Sequence, residues 1–226
     1  MSFSGNILLF FCNAIAPEKG GVERWCASAR VGFEARGNAC FYLAAKPVWR
    51  EFADAERQFF LPNEKTFSCP ENAAFFEKLL REKRIGVVLF LWADGKRFPF
   101  AREAARCGVP VIAAIRTDPC FYERRFRGNG LRSKVKRFLR FRRQAKIYRG
   151  NAACCARTVL LSERFVPGFL KHFPRGASPR VCAIPNPAFC AEASVDFSAK
   201  KKELLFVGRM EMAVKQPQLL LRVWRK

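Results

Sequence analysis

Hydrophobic and polar positions alternate along this chain in two rhythms. Ile7, Leu8, Leu9, Phe10 and Phe11 form a continuous apolar run, the pattern of a strand buried on both faces. Asn13 to Gly21 then reads as a loop, with Pro17, Gly20 and Gly21 in it. Val22, Trp25, Cys26, Ala29 and Phe33 follow at three- and four-residue spacings, which predicts a helix with Gly37 as its stop. Cys40 to Leu43 reads as a second strand. Further on, Asn72 to Arg84 is helical in pattern, Ile85 to Trp92 is an apolar run, Phe98 to Cys107 is helical again before Gly108, and Val109 to Ile115 is another buried strand. Apolar strands alternating with amphipathic helices predict an α/β domain, a Rossmann-like parallel sheet with helices on both faces.

The rhythm changes between Phe121 and Gly150. Twelve cations stand there against the single acid Glu123, with Leu131, Val135, Phe138, Leu139 and Arg142 on one helical stripe. A basic amphipathic helix is expected, followed by a strand at Ala152 to Ala156 and a helix starting near Ser162. Arg180 to Ile184 reads as the last strand of this part, ended by Pro185, Asn186 and Pro187. Ala191 to Lys202 is polar and mixed, with the character of a linker. Leu204 to Val207 is then a short buried strand stopping at Gly208, and a helix begins at Pro217 with Leu220, Leu221 and Trp224 at helical spacing. The expected organisation is a first domain over 1–190, a linker over 191–202, and the first strand and helix of a second Rossmann-like domain over 203–226. That last piece is too short for a core of its own.

Charge narrows the chemistry. Of 226 residues, 42 are basic and 19 acidic, a formal charge of +23, which attracts phosphates, acidic lipids or nucleic acid. Ten cysteines form no C-x-x-C pair, the usage of small buried residues in a reducing compartment. No cluster has metal-ligand spacing. The first apolar run is too short for a signal-peptide core and no segment reaches the length of a membrane span, so a cytoplasmic chain, or one lying on a membrane from that side, is expected.

Candidate sites lie where strands end. Gly20 and Gly21 stand between the first strand and its helix, where backbone amides can face an anion, although a Gly-Gly turn is also an ordinary structural device and the spacing is not G-x-G-x-x-G. Arg116 and Asp118 follow the Val109 to Ile115 strand; they suit ligand contact, or they pair with each other or cap the loop. Arg209 and Lys215 sit between a strand and a helix, a placement that suits a diphosphate. His172, the single histidine, reads as a packing or surface residue. On the basic helix, Arg132, Lys136, Arg140 and Arg143 are candidates for contact with an anionic membrane surface.

These segments together resemble the family 4 (group 1) glycosyltransferases of GT-B fold. The opening strand with PEKGGVER and a helix ending ARGN is similar to the start of their acceptor-side domain. VPVIAAIRTDP resembles the strand and loop of a bacterial polysaccharide subgroup, AIPNP the interdomain segment, and ELLFVGRMEMAVKQPQLLLRVW the opening of the donor domain.

The resemblance implies a retaining hexosyltransferase that moves a sugar from a nucleotide-sugar donor to a lipid-linked or polysaccharide acceptor. Its setting would be the biosynthesis of lipopolysaccharide, capsule or exopolysaccharide, at the inner face of the membrane. Arg209 and Lys215 would bind the donor diphosphate and stabilise the leaving group without a metal or other cofactor; Gly20 and Gly21 would admit the donor phosphates; Arg116 and Asp118 would face the acceptor. The family's E-x7-E pattern downstream of the G-R loop has no counterpart here, so this chain by itself is expected to have little or no transferase activity. The alternatives are a basic nucleic-acid-binding protein, for which no recognisable motif is present, and a non-catalytic membrane-surface protein.

Overall fold

A computed structural model describes residues 5–91, 98–121, 130–187 and 217–224, together with Ser198 and Glu203. The chain divides into two compact units, Met1–Pro187 and Ala188–Lys226. The first unit is built on seven strands: β1 (Asn6–Phe11), β2 (Cys40–Ala44), β3 (Gln58–Phe60), β4 (Ile85–Phe90), β5 (Val111–Ile115), β6 (Arg157–Leu160) and β7 (Val181–Ala183). All pair in parallel, in the order β3-β2-β1-β4-β5-β6-β7. The chain winds outward from β1 to β3, crosses back to β4 beside β1, and winds outward the other way. That reversal opens a crevice at the carboxyl ends of β1 and β4, where sheets of this kind take ligands.

Strand alternation sorts the core into two sides. Leu8 and Phe10 of β1 point to α2 (Pro70–Glu82) and α3 (Phe98–Arg106), joining Phe76, Leu79, Leu80, Phe100 and Ala104. Ile7 and Leu9 point the other way, to Val22, Trp25, Cys26 and Phe33 of α1 (Gly21–Glu34), the one described helix on that face. Phe10 sits edge-on to Phe90 and Phe100 with centroids at 5.4 and 5.2 Å, a geometry favoured by the ring quadrupole. Each such buried ring contributes about 2 kcal/mol.

From Leu131 onward the basic segment is helical, as its stripe predicts. It forms α4 (Leu131–Cys154), and α4 does not end where expected. Ala152 to Cys154, read from sequence as strand, are its last turn, and the strand lies further on at Arg157–Leu160. Ala and Cys are small and unbranched, so a helix already running continues through them, while Thr158 and Val159 carry the branched side chains that favour a strand. A second departure is β3, three residues that the pattern did not single out. Beyond Ser162, a single 3-10 turn over Glu163–Phe165 leads into α5 (Val166–Leu170).

In the second unit the described helix is α6 (Pro217–Trp224), with Pro217 in its first position. The expected linker at Ala191 to Lys202 lies outside the described residues apart from Ser198, as do the strand at Leu204 to Val207, Gly208, Arg209 and Lys215.

Candidate functional site

The loop between β1 and α1 runs over the carboxyl edge of the sheet and is held by a buried amide. Ala14, Ile15 and Ala16 are buried, so their backbone groups need partners away from water. Ile15 N–H donates to Oε1 of Gln58 at 3.0 Å, and Gln58 Nε2 donates in turn to the Phe59 carbonyl at 2.8 Å. Gln58 is itself 6% exposed. A short strand with a polar first residue gives little signal in sequence, which is why Gln58 escapes a reading based on apolar runs.

Gly20 is the N-cap of α1, in extended conformation. Glu23, in the first turn, folds its carboxylate back over Gly20, where a Cβ would collide with it. This carboxylate places a negative charge at the positive end of the helix. An anion approaching Gly20 itself therefore meets a like charge. Gly21 differs: it is exposed, and a Cβ built on it would stand in open space. Of the two glycines, Gly21 is the one whose lack of a side chain leaves room for something outside the domain.

Arg116 leaves the carboxyl end of β5 and crosses to α1. Its guanidinium lies 4.4 Å from the centroid of the Trp25 ring, and its Nη2 donates to Oδ1 of Asn186 at 2.6 Å. Trp25 stands one helical turn after Gly21, so strand β5, the start of α1 and the Pro185-Asn186-Pro187 segment meet at one point. Burial pulls the Arg116 pKa below its usual value, with the nearby Cys26 acting weakly against it. No carboxylate among the described residues forms an ion pair with Arg116. A guanidinium has five N–H donors in a planar fork, and among the described residues only Asn186 engages one of them. The remaining donors can take a phosphate or carboxylate in bidentate fashion, and the indole face fixes the plane in which they do so. The sequence reading placed Trp25 on the core face of the helix; its second role depends on a residue 91 positions away.

Asp118 shapes the same loop. Its Oδ1 accepts from Cys120 N–H at 2.9 Å and its carbonyl accepts from Phe121 N–H at 3.0 Å, a turn that buries Pro119 and Cys120. The Pro119 carbonyl then accepts a hydrogen bond from the Tyr148 hydroxyl of α4 at 3.2 Å. Arg132, Lys136, Arg140 and Arg143 are all exposed on α4, spaced so that they form one stripe. Tyr148 is the link between that helix and the Arg116 loop. Eight residues separate Arg140 from Tyr148, about 12 Å along the axis, and sixteen separate Arg132 from it, about 24 Å. His172 is fully buried, stacked on Phe141 at 4.8 Å and edge-on to Tyr148 at 4.9 Å, a packing position.

Among the described residues no group of His, Cys, Asp or Glu could hold a metal ion, and no helix is long and apolar enough to cross a membrane. No family model matches the sequence, and no curated protein matches it. Solved structures similar to it include UGT2 of Phytolacca americana in its apo form, at 9% identity and a TM-score of 0.47, covering 83% of this chain and 53% of that one. Arabidopsis thaliana UGT89C1 is similar in two forms. Complexed with UDP it gives 12% identity and a TM-score of 0.40, over 82% of this chain and 50% of that one. Complexed with UDP-L-rhamnose it gives 10% identity and a TM-score of 0.42, over 81% and 49%. The chain spans about half the length of these structures. Likeness at this level assigns neither a family nor a reaction.

Proposed function

We propose that this chain supplies the acceptor-side half of a family 4 GT-B glycosyltransferase. In this reading the whole enzyme transfers a hexose, with retention, from a nucleotide-sugar donor to a lipid-linked or polysaccharide acceptor of a cell-surface glycan, working in the cytoplasm at the inner face of the membrane. The observation that carries the reading is Arg116. A half-buried cation with no carboxylate partner among the described residues, stacked on Trp25 and standing beside the open start of α1 at the carboxyl edge of a parallel sheet, suits an anionic ligand.

The roles divide by charge. Arg116 orients an anionic group of the acceptor or donor, and Asp118 holds the loop that carries it. Gly21 leaves space for the donor to come close to the amides of the first turn of α1, on the side away from Glu23. Arg209 and Lys215, outside the described residues, neutralise the diphosphate as the bond to the sugar breaks, which lowers the barrier by stabilising charge that grows in the transition state. No metal or other cofactor enters this scheme.

Calorimetric titration of the protein, in the form its own cell makes, with UDP-, GDP- and ADP-sugars tests the reading. Binding of one nucleotide sugar, weakened about tenfold or more in Arg116→Ala or Gly21→Val, is the expected result. If no nucleotide sugar binds to a folded protein, the reading fails.

A further inference from the structure

The first turns of α4, residues 131–140, are exposed but for a half-buried Ser133. None of residues 131–144 is buried, and the helix first meets the core at Phe141, stacked on the buried His172, and then through Ala145, Tyr148 and Asn151. Within the exposed part, Leu131, Val135, Phe138 and Leu139 are 77, 48, 58 and 57% exposed. Their spacing of four, three and one places them on one arc of the helix, an apolar stripe that ends at Arg142, whose guanidinium lies 5.8 Å from the Phe138 ring centroid. Arg132, Lys136 and Arg143 border it along one edge. Between Leu131 and Arg149 there are nine cations and no acid. Like charges four apart, such as Arg132 with Lys136 and Lys136 with Arg140, repel one another and oppose the helix in water. An exposed helix of this kind has two features that suit water poorly: an exposed apolar stripe and a run of cations with no acid among them.

One environment answers both. We infer that the exposed part of α4 lies lengthwise in the headgroup layer of an anionic lipid bilayer, with Leu131, Val135, Phe138 and Leu139 entering the acyl boundary and Arg132, Lys136, Arg140 and Arg143 on the lipid phosphates. Nucleic acid would satisfy the cations and leave the leucines and valine in water, so it accounts for only half of the surface. The inference rests on the membrane-surface part of the function proposed above, not on its chemistry. It adds the element, the inserted residues and a route from lipid to site. Tyr148, on the first turns of α4 to enter the core, donates to the Pro119 carbonyl, so the lipid-bound helix is hydrogen-bonded to the loop that presents Arg116.

Co-sedimentation of the full chain with phosphatidylcholine vesicles, with and without phosphatidylglycerol, tests this without any nucleotide sugar. A failure here leaves the nucleotide-sugar titration untouched. Binding should need phosphatidylglycerol and weaken with salt, and each of Arg132→Gln, Lys136→Gln and Arg140→Gln should lower the partition coefficient about fivefold. Phe138→Ser with Leu139→Ser should lower it at least tenfold, with circular dichroism and melting temperature unchanged because both side chains are exposed. Equal binding to neutral vesicles overturns the inference, as does a Phe138→Ser/Leu139→Ser protein that binds like the parent. Binding of an oligonucleotide at physiological salt more tightly than phosphatidylglycerol vesicles, unaffected by those two serines, also overturns it and assigns the helix to nucleic acid.

Discussion

The Arg116 guanidinium lies 4.4 Å from the Trp25 ring centroid, and this contact joins the end of strand β5 to the second turn of helix α1. Burial opposes the charge on Arg116 while the indole face favours it, so the pair is a compromise between packing and ligand contact. A double-mutant cycle with Arg116→Met and Trp25→Leu should give a coupling energy of about 1 kcal/mol in urea denaturation. Arg116→Met alone should leave stability nearly unchanged, since it removes a desolvated cation that has no carboxylate partner among the described residues. A large loss in that single variant would show that the guanidinium serves the fold.

The two adjacent glycines should behave differently. Gly20→Ala makes the Glu23 carboxylate swing aside and replaces a favourable N-cap residue by a poor one, so it should destabilise the protein by about 1 kcal/mol, and Gly20→Ala with Glu23→Ala should recover part of that loss. Gly21→Ala meets nothing and should be neutral or slightly stabilising in a thermal melt. Equal effects of the two single alanines would contradict the account of the α1 start.

Gln58 is the support beneath the ligand edge. Gln58→Leu strands the Ile15 N–H in an apolar setting and should cost about 1 to 3 kcal/mol by chemical denaturation. Faster hydrogen exchange at Ile15 than at strand β1 should accompany it. An unchanged exchange rate would mean that water or another group replaces the amide.

Alkaline pH should unfold the protein through its buried thiols. Burial pushes Cys40 and Cys155 up to about 12 from the ordinary thiol value of 9.0, and pushes Cys26 higher still. Each thiol stays protonated in the fold while the unfolded chain loses its proton above pH 9, so the native state binds more protons there. Their contribution is intact below pH 9 and declines as pH rises towards 12, by about 1 kcal/mol per pH unit for each thiol. Denaturant midpoints between pH 8 and 11 measure this, and Cys40→Ala should flatten the slope. A midpoint that rises over that range would contradict the burial of these groups.

The parallel sheet and its helices were legible because β1, β4 and β5 are continuous apolar runs and α1 to α3 carry helical spacing. β3 was not, since three residues led by a buried glutamine give no period to detect. Ala152 to Ala156 misled because an apolar run of small residues suits either element, and only the helix preceding it decides. Arg116 and Gly21 were visible as residues of the right type at strand ends. Trp25 and Asn186 were not, because their link to Arg116 depends on how β5, α1 and the last loop converge in space.

The uncovered stretch of α4 is also the natural place to divide the polypeptide. It is rich in arginine and lysine, and none of its residues before Ala145 is buried. β1 to β5 lie on one side of it in sequence and β6 and β7 on the other, and β6 pairs with β5 through four registered residues. Trypsin at low dose should cut there first, and the two pieces should remain together as a nicked, folded sheet. Fusing each piece to one partner of an inducible pair would then turn assembly of the sheet into a reporter of proximity.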